Sequence, residues 1–263
     1  MTMRVIEGRH GRFICQDNDQ YVGRSLVEYG EYSESEWALI DRVLKPGDIA
    51  VEAGANIGAL TVPIAQRVGR EGRVYAFEPQ RLVYQMLCGN LALNAIENVF
   101  ALAVAVGDRA GQVRMPTIHY GEDHNYGGVS LGNEQGEAVA MGTVDALGLD
   151  RLDLLKADVE GAELLVLRGA EATIRKYWPV LYLEDDRREQ SPALLGYIRS
   201  LGYDIWWHTP PLFNPANHHG NPNNVFGTIV SVNILCQHPA RAAPAPELNK
   251  VEELDEWPLR ADP

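Results

Sequence analysis

A doubly wound α/β fold, with a mostly parallel seven-stranded sheet and an antiparallel final strand, is what this sequence predicts. Three observations carry the expectation. Short apolar runs alternate with amphipathic stretches through five successive units. The first run, residues 49–51, is introduced by the turn Lys45-Pro46-Gly47-Asp48 and ends in the bend Gly54-Ala55-Asn56-Ile57-Gly58. The last two runs have no helix between them, so they should pair antiparallel at one edge.

Taken in order, residues 1–44 read as a small cap and lead-in helix. Short strands are expected at 12–15 and 21–22, and a helix over 31–44 with Ser33 or Ser35 as its N-cap. Residues 45–237 form the main domain. Leu60, Ile64, Ala65 and Val68 mark a helix that stops at Gly69. A strand at 73–77, a helix carrying Leu82, Met86, Leu87 and Leu91, and a strand at 99–104 follow. Residues 109–147 change character: Gly, Asn and His become frequent, and short alternating runs at 112–115, 129–131 and 138–144 predict a hairpin lid over the crevice mouth. Strands at 152–157, 180–183, 203–208 and 225–235 complete the sheet. The Pro-, Asn- and His-rich stretch 209–224 must be a loop. Residues 238–263 read as a tail, disordered or loosely docked.

Composition narrows the function. Hydrophobic residues make up 46% of 263, enough for one large core, and no apolar run is long enough to span a membrane. The first residues lack an apolar signal region, which reads as cytoplasmic. Three scattered cysteines, Cys15, Cys88 and Cys236, argue for reduced thiols. A net charge of −13 with no basic cluster disfavours nucleic acid and favours a small substrate; self-association is left open.

The glycine bend between strand and helix builds a nucleotide crevice, because small residues let the backbone approach a ligand. Twenty residues beyond Gly58, Glu78 ends the second strand, placed to accept hydrogen bonds from a ribose. Glu52 precedes the bend, which has only two glycines around Asn56. A carboxylate there would repel a pyrophosphate but suits a cation such as S-adenosylmethionine. A nicotinamide-dependent oxidoreductase would want a third glycine and a Tyr-x-x-x-Lys pair, and neither is found. A non-catalytic nucleoside-binding scaffold is the rival from another class.

Four stretches carry a family resemblance: P-G-D-I-A-V-E-A-G-A-N-I-G (46–58), V-Y-A-F-E-P-Q (74–80), A-V-G-D-R-A-G (105–111) and L-K-A-D-V-E-G-A-E-L-L-V-L-R-G-A (155–170). Together they resemble the FkbM family of S-adenosylmethionine-dependent methyltransferases, with Glu52 where that family more often has Asp. The resemblance implies a Rossmann-like class I fold and O-methylation of a hydroxyl on a sugar, glycoside, polyketide or similar metabolite. It implies that Glu52, Gly54, Ala55, Asn56 and Gly58 hold the methionine end and Glu78-Pro79 the ribose. Ala105 or Asp108 would lie near adenine, and Asp158 at the methyl-transfer end.

Asp158 and Glu160 follow the fourth core strand, at the edge where ligands of such sheets bind, and are the first candidates for the chemistry. An N-cap role for Asp158 and a dipole role for Glu160 are the plain alternatives. Asp158 with Glu184 and Asp185 also suggests an oxygen-ligand set for Mg²⁺, against which stands a solvated acidic loop paired with Arg187 and Arg188; the preferred reading has no metal. Among seven histidines, His208 at a strand end is the first candidate general base. The His218-His219 pair lacks a ligand partner in register, the 214–224 loop could hydrogen-bond a polyol, and one of Trp206 and Trp207 could floor a sugar pocket.

Overall fold

The computed structural model describes residues 2–128, 136–241 and 247–259. Strands β1 (Met3–Gly8) and β2 (Gly11–Gln16) open it as a hairpin, followed by helices α1 (Val22–Tyr29) and α2 (Glu34–Val43). Then come β3 (Ile49–Ala53), α3 (Thr61–Val68), β4 (Arg73–Phe77), α4 (Arg81–Leu93) and β5 (Val99–Leu102). Strands β6 (Ala105–Val106), β7 (Gly111–Met115) and β8 (Glu137–Gly142) make a separate three-stranded sheet. The chain returns through β9 (Leu154–Ala157), α5 (Glu163–Arg168), α6 (Glu171–Tyr177), β10 (Val180–Glu184) and α7 (Ser191–Ser200). It closes with β11 (Asp204–His208), β12 (Asn233–Gln237) and β13 (Asn249–Lys250).

The main sheet has the order β13-β11-β12-β10-β9-β3-β4-β5. From β3 the chain steps outward through β4 to β5, then returns to the other side of β3 and steps outward again from β9. The boundary between β3 and β9 is therefore the topological switch point, where connecting loops diverge and leave a crevice. Strand β12 inserts between β10 and β11 and runs antiparallel to both. The sheet thus has the expected seven strands plus an eighth of two residues, β13, drawn from what the sequence presents as a tail.

Period-two alternation sorts the strand side chains onto two faces. Val51, Leu155, Leu181, Leu183, Ile205 and Ile234 pack with Val166, Leu167, Ile174, Leu195 and Ile198 from α5, α6 and α7. Ala50, Val74, Leu154, Tyr182 and Leu235 meet Leu39, Ile40, Ile64, Ala65 and Val68 from α2 and α3. A third cluster joins α4 to the N-terminal cap through Met86, Leu87, Phe13, Cys15 and Leu26.

Some local expectations are corrected. Tyr21-Val22 starts helix α1 instead of forming a strand, because the Asp19 carboxylate accepts the Gly23 N–H at 2.6 Å and caps that turn. The final strand begins at Asn233, not residue 225; residues 225–232 are loop with an isolated bridge, Pro211 to Val230. The run at 129–131 lies outside the described residues. Of the expected tail, Val251 is buried in the core beside β11, and Arg199 donates to the Val251 and Glu252 carbonyls.

Candidate active site

A cavity of about 350 Å³ opens at the carboxyl edge of the sheet, over the switch point. Its first half is built by β3, β4 and the glycine bend. Gly54 (φ 81°) passes so close to the next loop that a Cβ there would lie 1.8 Å from the Asp158 carbonyl oxygen. The N–H groups of Gly54 and Ala55 both donate to the Phe77 carbonyl, fixing the bend to the end of β4. Asn56 adopts a left-handed conformation (φ 51°), which Asn tolerates, and its N–H donates to Glu78 at 2.9 Å. The other Glu78 oxygen accepts the Gln80 N–H at 2.8 Å, with Pro79 held between. Each carboxylate oxygen so used keeps a second acceptor site, and Glu78 faces the cavity. Burial pushes the Glu78 carboxyl up to about 7, although both amides pull the other way.

A side recess next to Glu78 is lined by Phe77, Pro79, Ala105, Met115 and Tyr126. Of the two residues expected near adenine, the structure brings Ala105 there. Asp108 lies away from it, beside Arg109 at 3.4 Å. Gly107 explains the departure: its carbonyl packs against Gly169 so tightly that a Cβ on Gly169 would sit 1.9 Å away, and this carries the chain off toward α5 and α6.

The second half gathers acids around one buried ammonium. Lys156 on β9 is 3% exposed and lies 3.6 Å from Glu52 and 3.5 Å from Asp158. Burial opposes its charge, but Asp158, Glu52, Glu36 and Glu184 outweigh that and hold the ammonium above its usual range. Glu52 also accepts a hydrogen bond from Thr61 Oγ1 at 2.6 Å; burial raises its carboxyl, and Lys156 works against the rise. Glu36, buried on α2, accepts from Ser33 Oγ.

Beyond Lys156 the chain turns through Asp158, Val159, Glu160 and Gly161. Glu160 holds a left-handed backbone (φ 56°), a conformation that is uncommon for Glu and concentrates at functional sites. Its carboxylate pairs with Arg187 at 2.5 Å, while burial and then the Asp158 charge push it up to about 7. Oxygens of Asp158, Glu160 and Glu184 fall within 4.8 Å of one another. The oxygen cluster expected from Asp158, Glu184 and Asp185 is therefore corrected: Glu160 takes the third place. Asp185 points away, accepting from Ser191 Oγ at 2.7 Å, because neighbouring strand residues face opposite sides.

His208 is not brought to the cavity. The Tyr182 hydroxyl lies 2.8 Å from its Nδ1, and burial lowers its pKa to about 4. The 214–224 loop uses its amides on the protein itself: Asn214 donates to Glu31, Asn221 to Glu28, and Asn217 to carbonyls of its own loop. Trp206 and Trp207 are both buried, against Lys250 and Trp257 respectively, and neither lines the cavity. Sequence reasoning passed over Lys156, Glu36, Tyr32, Asn125 and Asn233, all of which line the cavity. Lys156 carried a readable signal: a cation inside the otherwise apolar run Leu152-Asp153-Leu154-Leu155-Lys156-Ala157 needs a partner.

The sheet order, the switch-point cavity and the acid-clamped glycine bend define a class I, Rossmann-like methyltransferase fold. Residues 52–205 match the family model described as Methyltransferase FkbM domain, and the chain belongs to that family. That family is one of S-adenosylmethionine-dependent methyltransferases, and the match gives no support to the nicotinamide alternative. Methyltransferase sdnD of Sordaria araneosa is 31% identical over 166 aligned positions, covering 50% of this chain and 62% of that one. AMB antimetabolite synthetase AmbE of Pseudomonas aeruginosa is 26% identical over 212 positions, covering 62% of this chain and 10% of that one. The chain thus spans less than two thirds of either relative. Among solved structures, an S-adenosylmethionine-dependent O-methyltransferase from Thermotoga maritima shares the fold at TM-score 0.50 and 16% identity, covering 91% of this chain and 79% of that one. Among the described residues, no helix is long and apolar enough to cross a membrane.

The residues present fit the family's cofactor. Glu78 has acceptor capacity facing the cavity, as a ribose diol would require; the close approach at Gly54 leaves the bend without side-chain bulk; and acids outnumber the two cations lining the cavity, Lys156 and Arg187.

Proposed function

We propose that this protein methylates a hydroxyl oxygen of a small, neutral or cationic acceptor such as a sugar, glycoside or polyketide-like alcohol. One observation carries the reading: Asp158, Glu160 and Glu184 converge at the far end of the cavity, where a hydroxyl needs proton acceptors and an anionic acceptor would be repelled. The non-catalytic scaffold has no use for such a cluster.

In this reading Glu52, Gly54, Ala55 and Asn56 bound the methionine end, with Gly58 behind the bend against Leu87; Glu78 and Pro79 bound the ribose, and Ala105 the adenine. S-adenosylmethionine, when bound, supplies an electrophilic methyl group. Lys156 ties Glu52 to Asp158, so the two halves of the cavity keep a fixed spacing. Arg187 holds Glu160 on the rim of the acceptor end. The residues of the cavity then have two tasks: to align the acceptor oxygen about 3 Å from the transferred carbon and to receive its proton. Asp158, which is the more exposed partner of Lys156, faces that space.

A panel of sugar, glycoside and polyketide alcohols with their matched amines, incubated with donor labelled in its methyl group, tests the proposal. Label is expected in ether linkages. Transfer to the amines alone would overturn the hydroxyl assignment.

A further inference from the structure

The acids of the acceptor end differ in what already holds them. Asp158 faces Lys156, Glu160 pairs with Arg187, and Glu163 accepts the Val159 and Gly161 N–H groups. Glu184 is different. Its Oε2 is sealed from water and has no hydrogen-bond partner among the described residues. Directly across the ladder, Glu184 registers with Asn233, the first residue of β12. Asn233 is 4% exposed, and its Nδ2, which stands near the Tyr182 hydroxyl, completes no well-formed hydrogen bond among the described residues. Both residues line the cavity. Side chains opposite one another on antiparallel strands stand close enough to share one small group, yet no bond links this donor to this acceptor.

We infer that Glu184 and Asn233 form the acceptor-hydroxyl site, with Asn233 Nδ2 donating to the hydroxyl oxygen and Glu184 taking its proton. This rests on the hydroxyl reading above and names the residues that carry it out. A hydroxyl is the group that answers both unmet atoms, because it accepts and donates at once. A methyl ether accepts but has no proton to give. An ammonium donates but has no lone pair for Asn233. As Glu184 removes the proton, a lone pair of the acceptor oxygen forms the new bond to the methyl carbon, and the carbon–sulfur pair leaves with sulfur as S-adenosylhomocysteine. Charge balances: the sulfonium's positive charge is lost, and the proton neutralises Glu184.

The electrostatics support the assignment. Burial first, then the charges of Asp158, Glu160, Asp186 and Glu163, raise the Glu184 carboxyl well above its usual range, which makes it a stronger base than an exposed glutamate. Lys156 faces the same group from β9 and acts in the opposite direction, and Tyr32 faces it from the connection before α2.

The test uses full-length protein labelled with ¹³C at the glutamate side-chain carboxyl carbon and loaded with S-adenosylhomocysteine. The Glu184 signal is assigned by its absence in Glu184→Gln. It is expected to shift when an alcohol of the panel is added and to stay in place with the corresponding methyl ether. A signal indifferent to every alcohol overturns the inference, whether or not any panel member is turned over. With a methylated alcohol in hand, Glu184→Gln should lower kcat about 100-fold or more and remove the acidic limb of the pH profile. Asn233→Ala should raise the acceptor KM about tenfold. S-adenosylhomocysteine affinity should be unchanged in both, which shows that they fold. Wild-type kcat in Glu184→Gln would overturn the inference while the hydroxyl reading stands; methylation of amines alone would remove that reading first.

Discussion

The two halves of the cavity are finished to different degrees. On the side of β3 and β4, the acids are already bonded: Glu78 by two backbone amides, Glu52 by Thr61 and Lys156. On the side of β10 and β12, Glu184 Oε2 and Asn233 Nδ2 complete no well-formed hydrogen bond among the described residues. A cofactor that is always the same can be met by a rigid, pre-bonded wall. Unpaired buried groups cost stability, and where they line a cavity a ligand can satisfy them. In the proposed reading, the contrast separates a fixed cofactor wall from a reactive acceptor wall.

Removing the ion that spans both walls should have the largest effect. Lys156→Met leaves Glu52 and Asp158 without their buried cation, and breaking such a pair should destabilise the fold by about 3–5 kcal/mol in denaturant unfolding at pH 8. The loss should shrink at pH 5.5, where the freed carboxylates can take up protons. A loss independent of pH would show that Lys156 serves packing rather than charge. Gly54→Ala comes next, since its Cβ would meet the Asp158 carbonyl and its φ of 81° disfavours any side chain. Overpacking and backbone strain together should destabilise by about 3 kcal/mol and abolish S-adenosylhomocysteine binding in calorimetry. Glu78→Ala should leave the fold intact but weaken that binding tenfold or more, because a charge-assisted hydrogen bond contributes ~1.5–3 kcal/mol. Unchanged affinity would remove Glu78 from the cofactor wall.

The same contrast explains what could be read from the sequence. The cofactor wall is nearly local: the bend at 54–58 and Glu78 lie within one strand–helix–strand unit, where spacing is fixed by secondary structure. The acceptor wall draws Glu36, Lys156, Glu184 and Asn233 from four distant segments, and only the sheet order brings them together. Nothing local distinguishes Glu184 from Asp185. Which of the two faces the cavity depends on the strand's register against β12, which sequence spacing alone does not set. The sheet itself was legible because buried strands read as apolar runs. The eighth strand was not, since Asn249-Lys250 has no apolar pattern; the buried residue beside it is Val251.

Acids held in low-dielectric surroundings also give the stability a direction with pH. Glu78, Glu160 and Glu163 are pushed up to about 7 and Asp185 to about 6, each chiefly by burial. The folded chain therefore binds more protons than the unfolded one between about pH 4.5 and 7. Their contribution to stability falls as pH rises through that window. His208 acts oppositely: neutral in the fold down to about 4 against 6.5 when free, it loses stability as pH falls. Four carboxyls outweigh one imidazole, so the melting temperature of the ligand-free protein should be higher at pH 5.5 than at pH 8 at matched ionic strength. The opposite slope would mean that these acids are more solvated than their burial implies.

The smallest effect should come from the histidine that sequence position alone recommends. His208 ends β11 at the same sheet edge as the acids, but it does not line the cavity, and the Tyr182 hydroxyl takes its Nδ1. His208→Gln should change kcat less than about twofold, since general-base loss would produce 10²–10⁴. It should lower stability by about 1 kcal/mol, the net worth of one buried hydrogen bond. Because the imidazole stays neutral until about pH 4, the pH–rate profile of the variant should overlay the wild type from pH 6 upward. A profile that lost its acidic limb in His208→Gln, and kept it in Glu184→Gln, would move the proton acceptor from β10 to β11 and make Tyr182 its relay.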